Sequence, residues 1–570
     1  MKNIRIFKKV GILTLLLIST ISCEDFLDRP VEDNYSIDSF YKTDEQCKEA
    51  ANTLYSSPWN DFLRGLFSIG DGLAGNYYLS PENVYANHTT GSDNDNLSSA
   101  SNALWLVIGH ANTAIENIRD KSGPEVSEWA KNTYTGEAMV MKAMAYFYLV
   151  RAWGDVPIIH YNSTIIGDRT AFDLQKNKMA DVYKYITLTL EKAAELLPET
   201  NEEGRIDKYA AYGLLAKVYL TASGVSGTRD QSMLDNAKKY AELVIDYSGR
   251  SLEPEYANLY RISTGNYNQE NLITLHWYSL SNFWTCRNWS EPDFVSSNFS
   301  GTWAGWGEYS GVTVDLQNLF NDDATSTTRQ TRDVRRKGTM MMYGDFYPYW
   351  WQAEGGFTAT WNEETALGGS RFECSSGAMW VKYIHGNNED HIAEAGYPTD
   401  GGMCSSTAHH LLRLADVYLV YVEAVMGTSN STSDSKAIEV YNQVLNRAGL
   451  PSVSSVTFDE LFDQRRKELA CEGDSWYDYV RLSYYNEALA EQKIKDQERG
   501  YYDLGQLKEV YKGTRNSNDV EFTSFKVTNV IKNTNGQKFR IPFPQTDLSA
   551  NHHLLEDPVD YDFSQVEYAN

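Results

Sequence analysis

A six-residue stretch occurs twice in this chain. Leu215-Ala216-Lys217-Val218-Tyr219-Leu220 matches Leu414-Ala415-Asp416-Val417-Tyr418-Leu419 at five of six positions. Each copy opens a helical pattern, and each is followed by a second, with Ala237 and Val244 answering to Ala437 and Val444. Paired helices with small residues at recurring positions mark tetratricopeptide-like repeats. One such unit cannot bury its apolar face alone, so the rest of the chain has to supply helices that stack on it.

The apolar spacing supplies them. Helices are expected over 36–54 (capped by Asp38 or Ser39), 102–118, 137–153, 180–197, 208–223, 234–247, 458–472 and 474–491. The 137–153 segment is apolar on nearly every side and should be a buried helix, stopped by Gly154-Asp155-Val156-Pro157. Residues 58–97 are rich in Gly, Asn, Asp and Tyr and read as loop. So does 268–405, apart from a few short alternating runs, and the basic patch Arg329 to Lys337 within it reads as solvated surface. The expected fold class is mainly α, a tetratricopeptide-like helical scaffold with a large irregular, loop-rich insertion and a few short strands.

The first thirty residues give an address. Lys2, Arg5, Lys8 and Lys9 precede an apolar run too short to span a bilayer core of roughly 30 Å. Thr20-Ile21-Ser22-Cys23 resembles a lipobox, in which the Cys is lipidated and becomes the new N-terminus. Glu24, Asp25 and Asp28 behind it resemble the tag that sends lipoproteins to the surface of some Gram-negative bacteria. The division expected is a signal peptide over 1–22, a tether over 23–35, helical parts over 36–267 and 406–570, and the insertion over 268–405. Several acyl chains anchor stably, so the membrane is met through lipid at Cys23 alone.

Charge narrows the partners. The net charge of −26 becomes −30 without the leader's four bases, with 47 basic against 77 acidic residues. A field of that sign repels nucleic acid and anionic lipid. The cysteines beyond Cys23 are Cys47, Cys286, Cys374, Cys404 and Cys471, an odd number without the close spacing of a disulfide framework or zinc site.

No catalytic or metal motif is complete. Gly473-Asp474-Ser475 falls at a helix start, where Asp and Ser act as caps. Ser68 lacks the earlier Gly of a nucleophile elbow, since Leu66 stands there. His409-His410 and His552-His553 are adjacent pairs, without the i, i+4 spacing that shares a metal on one helix face. Asp93-Asn94-Asp95 resembles the start of a calcium loop, but Leu97 stands where a ligand belongs. Neither catalysis nor a cofactor is expected, a structural calcium being the one ion left open.

The chain resembles the SusD/RagB-type surface lipoproteins of nutrient uptake. Cys23 to Asp28 (CEDFLD) is similar to the start of those mature chains. Glu137 to Pro157 resembles their helix ending in Tyr-Gly-Asp-Val-Pro, with Trp153 for the Tyr. Further similar segments are His410 to Ala424, Tyr441 to Pro451, Arg465 to Leu482 (RRKELACEGDSWYDYVRL) and Lys538 to Asp547 (KFRIPFPQTD). The resemblance implies a mostly α fold with four tetratricopeptide-like units. It also implies a surface protein that binds oligosaccharide or polysaccharide and caps a SusC-type TonB-dependent outer-membrane transporter. An exported glycoside hydrolase, or an adhesion or scaffold protein using the repeats, are the alternatives.

Sugars offer CH faces and hydroxyls, so a site needs flat rings beside polar side chains. Eight of the 14 Trp lie between Trp277 and Trp361, where even scatter would put about two. That window and the loop after Asp71 have the required mixture. The candidate glycan contacts are Asp71, Asn76, Tyr77, Trp284, Asn288, Trp289, Trp303, Trp306 and Tyr309. Trp105, Trp153 and Trp476 lie on scaffold helices and are expected in the core.

Overall fold

The structure is a computed structural model that describes residues 40–569, apart from 80–83, 165–173, 281–293, 302–304, 306–309, 321–331, 362–364, 366–368, 375, 400–403, 526 and 528–537. Cys23, the leader and the tether lie outside the described residues, as do six of the nine candidate contacts: Trp284, Asn288, Trp289, Trp303, Trp306 and Tyr309.

The first described helix, α1, spans Asp44–Asn52. It starts later than the sequence pattern suggests, because Thr43 and Gln46 form a capping box. The 58–97 segment is not all loop. Pro58 and the glycines mask a short helix, α2 (Phe62–Phe67), which runs into a wider turn at Ser68–Gly72. Its apolar residues Phe62, Leu63, Leu66 and Phe67 are all buried.

The scaffold follows as α3 (Asp95–Lys121), α4 (Glu128–Trp153), α5 (Met179–Leu196), α6 (Lys208–Ala222) and α7 (Gln231–Tyr247). Each packs on the next in sequence. Side chains accept from early backbone N–H groups at the starts of α3 (Asn94), α4 (Ser127), α6 (Asp207) and α7 (Asp230), a contribution of about 1 kcal/mol each. Asn94 thus caps a helix at the stretch that resembled a calcium loop. α4 is buried on all sides from Gly136 to Trp153, as its pattern required. It ends at Gly154, whose φ of 83° is readily adopted only by glycine.

The chain returns with α8 (Asn388–Ala395), α9 (Leu414–Met426), α10 (Ser435–Arg447), α11 (Phe458–Leu469) and α12 (Ser475–Lys495). α9 packs against both α6 and α7, so the two copies of the repeat are spatial neighbours. One continuous apolar cluster runs from Leu54 to Val566 and takes in Trp380 and the Met340–Met342 strand of the insertion. Among the described residues the strands form two-stranded antiparallel pairs. Three matter here: β1 (Tyr77–Leu79), β2 (Asn271–Leu275) and β3 (Ser310–Val312).

A buried charge network runs through the centre. Arg413 donates to Glu270 (2.8 Å), Glu468 (2.6 Å) and Glu472 (2.9 and 2.8 Å). Lys382 reaches Glu472 at 2.8 Å, and Arg335 reaches Glu468 at 3.1 Å. Among the described residues the basic patch is therefore solvated only in part, at Arg332 and Lys337. Arg335 is fully buried on Asp333 and Glu468, and Arg336 is buried on Asp345. A run of bases looks like surface until acids distant in sequence are brought against it. Asp474 also departs from expectation. It makes no side-chain cap at α12 but pairs with Arg151 (2.7 Å) and Lys217 (2.5 Å).

Candidate functional site

Two stretches far apart in sequence meet at one short ladder. β1 pairs antiparallel with β3 in the register Tyr77↔Val312, Tyr78↔Gly311 and Leu79↔Ser310. Leu79 and Ser310 form the last pair, and beyond it the two chains lead into 80–83 and 306–309. Tyr77 sits beneath the ladder, its ring 6.1 Å from that of Phe294 and 6.4 Å from that of Trp380. Phe294 and Trp380 are themselves 6.1 Å apart. Phe294 is the first described residue after 281–293, so three segment ends are anchored around one buried aromatic trio.

Asp71, Asn76 and Tyr77 belong to this foundation, not to an exposed surface. They are 1%, 0% and 5% exposed, which leaves no face for a ligand. The Asp71 carboxylate accepts from the Asn76 amide (2.9 Å) and from the backbone N–H groups of Cys471 (2.9 Å) and Gly473 (2.9 Å). Burial raises its pKa, and these hydrogen bonds oppose the rise. The Asn76 oxygen accepts from Arg466 at 2.7 Å. Asp and Asn in a Gly-rich stretch read as loop polarity, because their partners lie about four hundred residues away.

The described Trp residues of the aromatic window divide. Trp277 is buried and donates to His409 at 3.2 Å, and Trp350 is buried against Phe299 and Tyr347. Trp351 is half-buried. Its indole N–H donates to the Phe299 carbonyl (3.1 Å), and the Arg371 guanidinium lies 3.3 Å from its ring centre. Its backbone N–H is held by Asp390 of α8 at 2.6 Å. Trp361, also half-buried, stacks on Tyr343 at 4.9 Å. Of the three Trp placed in the core, Trp153 and Trp476 are buried, whereas Trp105 is half-buried and lines a small apolar cleft with Trp153 and Phe543.

A second aromatic feature escaped sequence reading. Tyr267, Tyr278 and Tyr397 border a groove of about 640 Å³ between the Ser56–Ser57 turn and α8. Its residues come from four separate stretches, and only Trp277 and Tyr278 among its rings fall in the Trp-rich window, at the very start of it.

Cys47, Cys374, Cys404 and Cys471 are buried. Burial pushes the Cys374 thiol up to about 12, which leaves it unreactive near neutrality. Among the described residues, ligand atoms that could share an ion gather only at His552, His553 and Glu556, all within 4.8 Å. Glu556 supplies the third group that the adjacent histidines lacked in sequence. No helix among the described residues is long and apolar enough to cross a membrane.

The architecture is a helical-repeat scaffold bearing a loop-rich, aromatic insertion. Comparison makes the class specific. Residues 227–559 match the SusD family, and residues 26–220 match the family described as "Starch-binding associating with outer membrane". A SusD-like protein of Bacteroides ovatus is 30% identical over 98% of this chain and 100% of its own. A crystal structure with xylogluco-oligosaccharide superposes with TM-score 0.76, at 27% identity, over 91% of this chain and 99% of that one. A SusD-like carbohydrate-binding protein of Bacteroides fragilis, 18% identical, shares the fold at TM-score 0.69 over 90% of this chain and 100% of its own. The chain belongs to the SusD family. Proteins of this family are carbohydrate binders rather than enzymes, and the family description places them with the outer membrane.

Proposed function

We propose that this chain is a cell-surface lipoprotein, anchored at Cys23, that binds oligosaccharide or polysaccharide and delivers it to a SusC-type TonB-dependent transporter. The ligand class we assign is a neutral β-glucan with side-chain sugars, of the xyloglucan type. The likeness that supports it spans 91% of the chain and includes the structure with a xylogluco-oligosaccharide. The single observation that carries the position of the site is the β1–β3 pairing. It pairs Leu79 with Ser310, which directly follows the expected contact Tyr309 in sequence. Residues 268–405 are then the ligand-binding part, with Trp284, Asn288, Trp289, Trp303, Trp306 and Tyr309 as its contacts.

The buried trio of Tyr77, Phe294 and Trp380 supports this reading in physical terms. Loops on a rigid scaffold can vary while their anchors hold position, and a prearranged platform loses less entropy on binding. The half-buried Trp351, braced by Arg371 and Asp390, adds a fixed ring on the same insertion. Transfer to the transporter rests on the family resemblance alone.

Alanine substitution at Trp284, Trp289, Trp303 and Trp306, read by titration with a xylogluco-oligosaccharide, tests the site. At least one variant should lose about thirtyfold in affinity, or on the order of 2 kcal/mol, with thermal stability unchanged. Four variants that bind as wild type, or that fail only by unfolding, would place the site elsewhere.

A further inference from the structure

Tyr267 and Tyr278 are among the most exposed large rings of the described residues, at 58% and 54%. Both open onto the same groove. Neither hangs free in solvent. Tyr267 stacks on the His276 imidazole, with ring centres 5.1 Å apart and planes 14° apart. Gly204 presses on its other part so closely that a Cβ there would come within 2.7 Å of the ring. Burial lowers the His276 pKa to about 4, so the imidazole behind Tyr267 is neutral at physiological pH. Tyr278 meets Tyr397 edge-on at 5.0 Å, and Tyr397 is fixed in turn by its hydroxyl donating to Ser406 at 3.2 Å. Each exposed ring is thus braced by a second ring, an arrangement that costs little further entropy when a ligand packs on it.

The polar groups around these rings suit hydroxyls. Ser57 and Ser263 are exposed at the groove. The Glu394 carboxylate there is neutralised by Arg261, at 2.6 Å, and also accepts from the Ser263 N–H. A paired carboxylate attracts neither free cations nor anions strongly but can still accept from a sugar hydroxyl. The volume of about 640 Å³ lies within the 300–1,000 Å³ typical of small-ligand clefts. The groove also connects to the proposed site through one helix. Asp390 of α8 holds the Trp351 backbone, and Glu394, one turn further on, faces the groove.

We propose that this groove is a second carbohydrate subsite, which takes a neutral sugar unit of a long chain already held by the Trp-bearing loops. The inference rests on the carbohydrate-binding reading above. It assigns Tyr267 and Tyr278 as stacking platforms and the Ser57, Ser263 and Glu394 side chains as hydroxyl partners. A short oligosaccharide fills the first site only, whereas a polysaccharide engages both and gains through effective concentration.

The test uses the purified protein, polymeric xyloglucan and a short xylogluco-oligosaccharide, with Tyr267→Ala/Tyr278→Ala beside Tyr267→Phe/Tyr278→Phe. The Ala pair should lower affinity for the polymer at least tenfold and leave affinity for the short ligand within twofold. The Phe pair, which keeps both rings, should bind the polymer within threefold of wild type. Wild-type affinity of the Ala pair for the polymer would overturn the second subsite, and so would an equal loss for both ligands. If the wild type itself binds neither ligand nor any glycan on an array, the carbohydrate reading fails first and takes this inference with it.

Discussion

Lys217 and Asp416 occupy the same position in the two copies of the repeat, and they bond to each other, Nζ to Oδ2, at 2.6 Å. The one mismatch between the two six-residue stretches is thus a charge pair at the interface of α6 and α9. The pair is buried, and further charges complete it: Arg465 on Asp416 (2.8 Å), and Asp474 on Lys217 (2.5 Å) and Arg151 (2.7 Å). Repeats of identical sequence would have set like against like here.

Removing one partner of such a pair leaves an uncompensated charge in the core. Lys217→Met should therefore cost about 3–5 kcal/mol of folding stability in denaturant unfolding. Replacing both, as Lys217→Met with Asp416→Leu, should recover part of that loss, since Arg465 still holds Asp478 (2.8 Å) and Asp474 still holds Arg151 (2.7 Å). A single variant within about 1 kcal/mol of wild type would mean that the network is screened by water and that the repeat interface depends on apolar packing alone.

The second prediction concerns acid. Burial alone would raise the Glu472 pKa, but Arg413 and Lys382 outweigh it and hold the carboxyl at about 2. Glu468 is lowered in the same way, burial being overcome by Arg447, Arg413 and Arg335. A depressed carboxylate contributes stability that is complete above the unfolded value near 4.5 and is lost as pH falls toward 2. Thermal unfolding should show that loss between those limits, on the order of 3 kcal/mol for Glu472. Glu472→Gln should be less stable at pH 7 and should converge on wild type as the pH drops. A gap that stayed constant from pH 7 to pH 2 would contradict the linkage.

Asp71 provides a third test, because sequence and structure give it different work. Asp71→Ala strips acceptors from the N–H groups of Cys471 and Gly473 and should cost about 1–3 kcal/mol of stability. Affinity for xylogluco-oligosaccharide should stay within twofold. A large affinity loss at unchanged stability would restore Asp71 as a sugar contact.

How far the sequence could be read depended on how local each signal was. Helices α4, α6 and α7 carry their own periodicity and stop signals, such as Gly154 after Trp153, and their extents were legible to within a turn at most boundaries. The start of α4 was not, since Glu128 to Gly136 mixes polar and small residues. Arg335 and Arg336 misled because charge is read as exposure until Asp333, Asp345 and Glu468 are seen against them. Asp71 and Asn76 misled for the same reason, their partners Cys471, Gly473 and Arg466 being visible only after folding. Similarity within RRKELACEGDSWYDYVRL was informative about family, and the structure gives it a physical basis. Arg465, Arg466, Glu468, Glu472, Asp474, Asp478 and Arg481 are all buried. The Tyr267–Tyr278 groove was only partly legible, because Trp277 and Tyr278 open the Trp-rich window while Tyr397 and Glu394 join them only on folding.

The anchor can be tested in cells. Cys23→Ala should release the protein from the membrane fraction into the soluble fraction and remove its surface labelling. Wild-type retention without lipid would show that the body holds the membrane by another surface.

The most direct measurement is a titration of the purified protein with a xylogluco-oligosaccharide, followed by an assay of the same mixture for new reducing ends after a day. Saturable binding with no new ends is the expected result, as for a family that binds sugars without cutting them. Absence of binding to this or any arrayed glycan, or sustained cleavage abolished by a single carboxylate change, would contradict it.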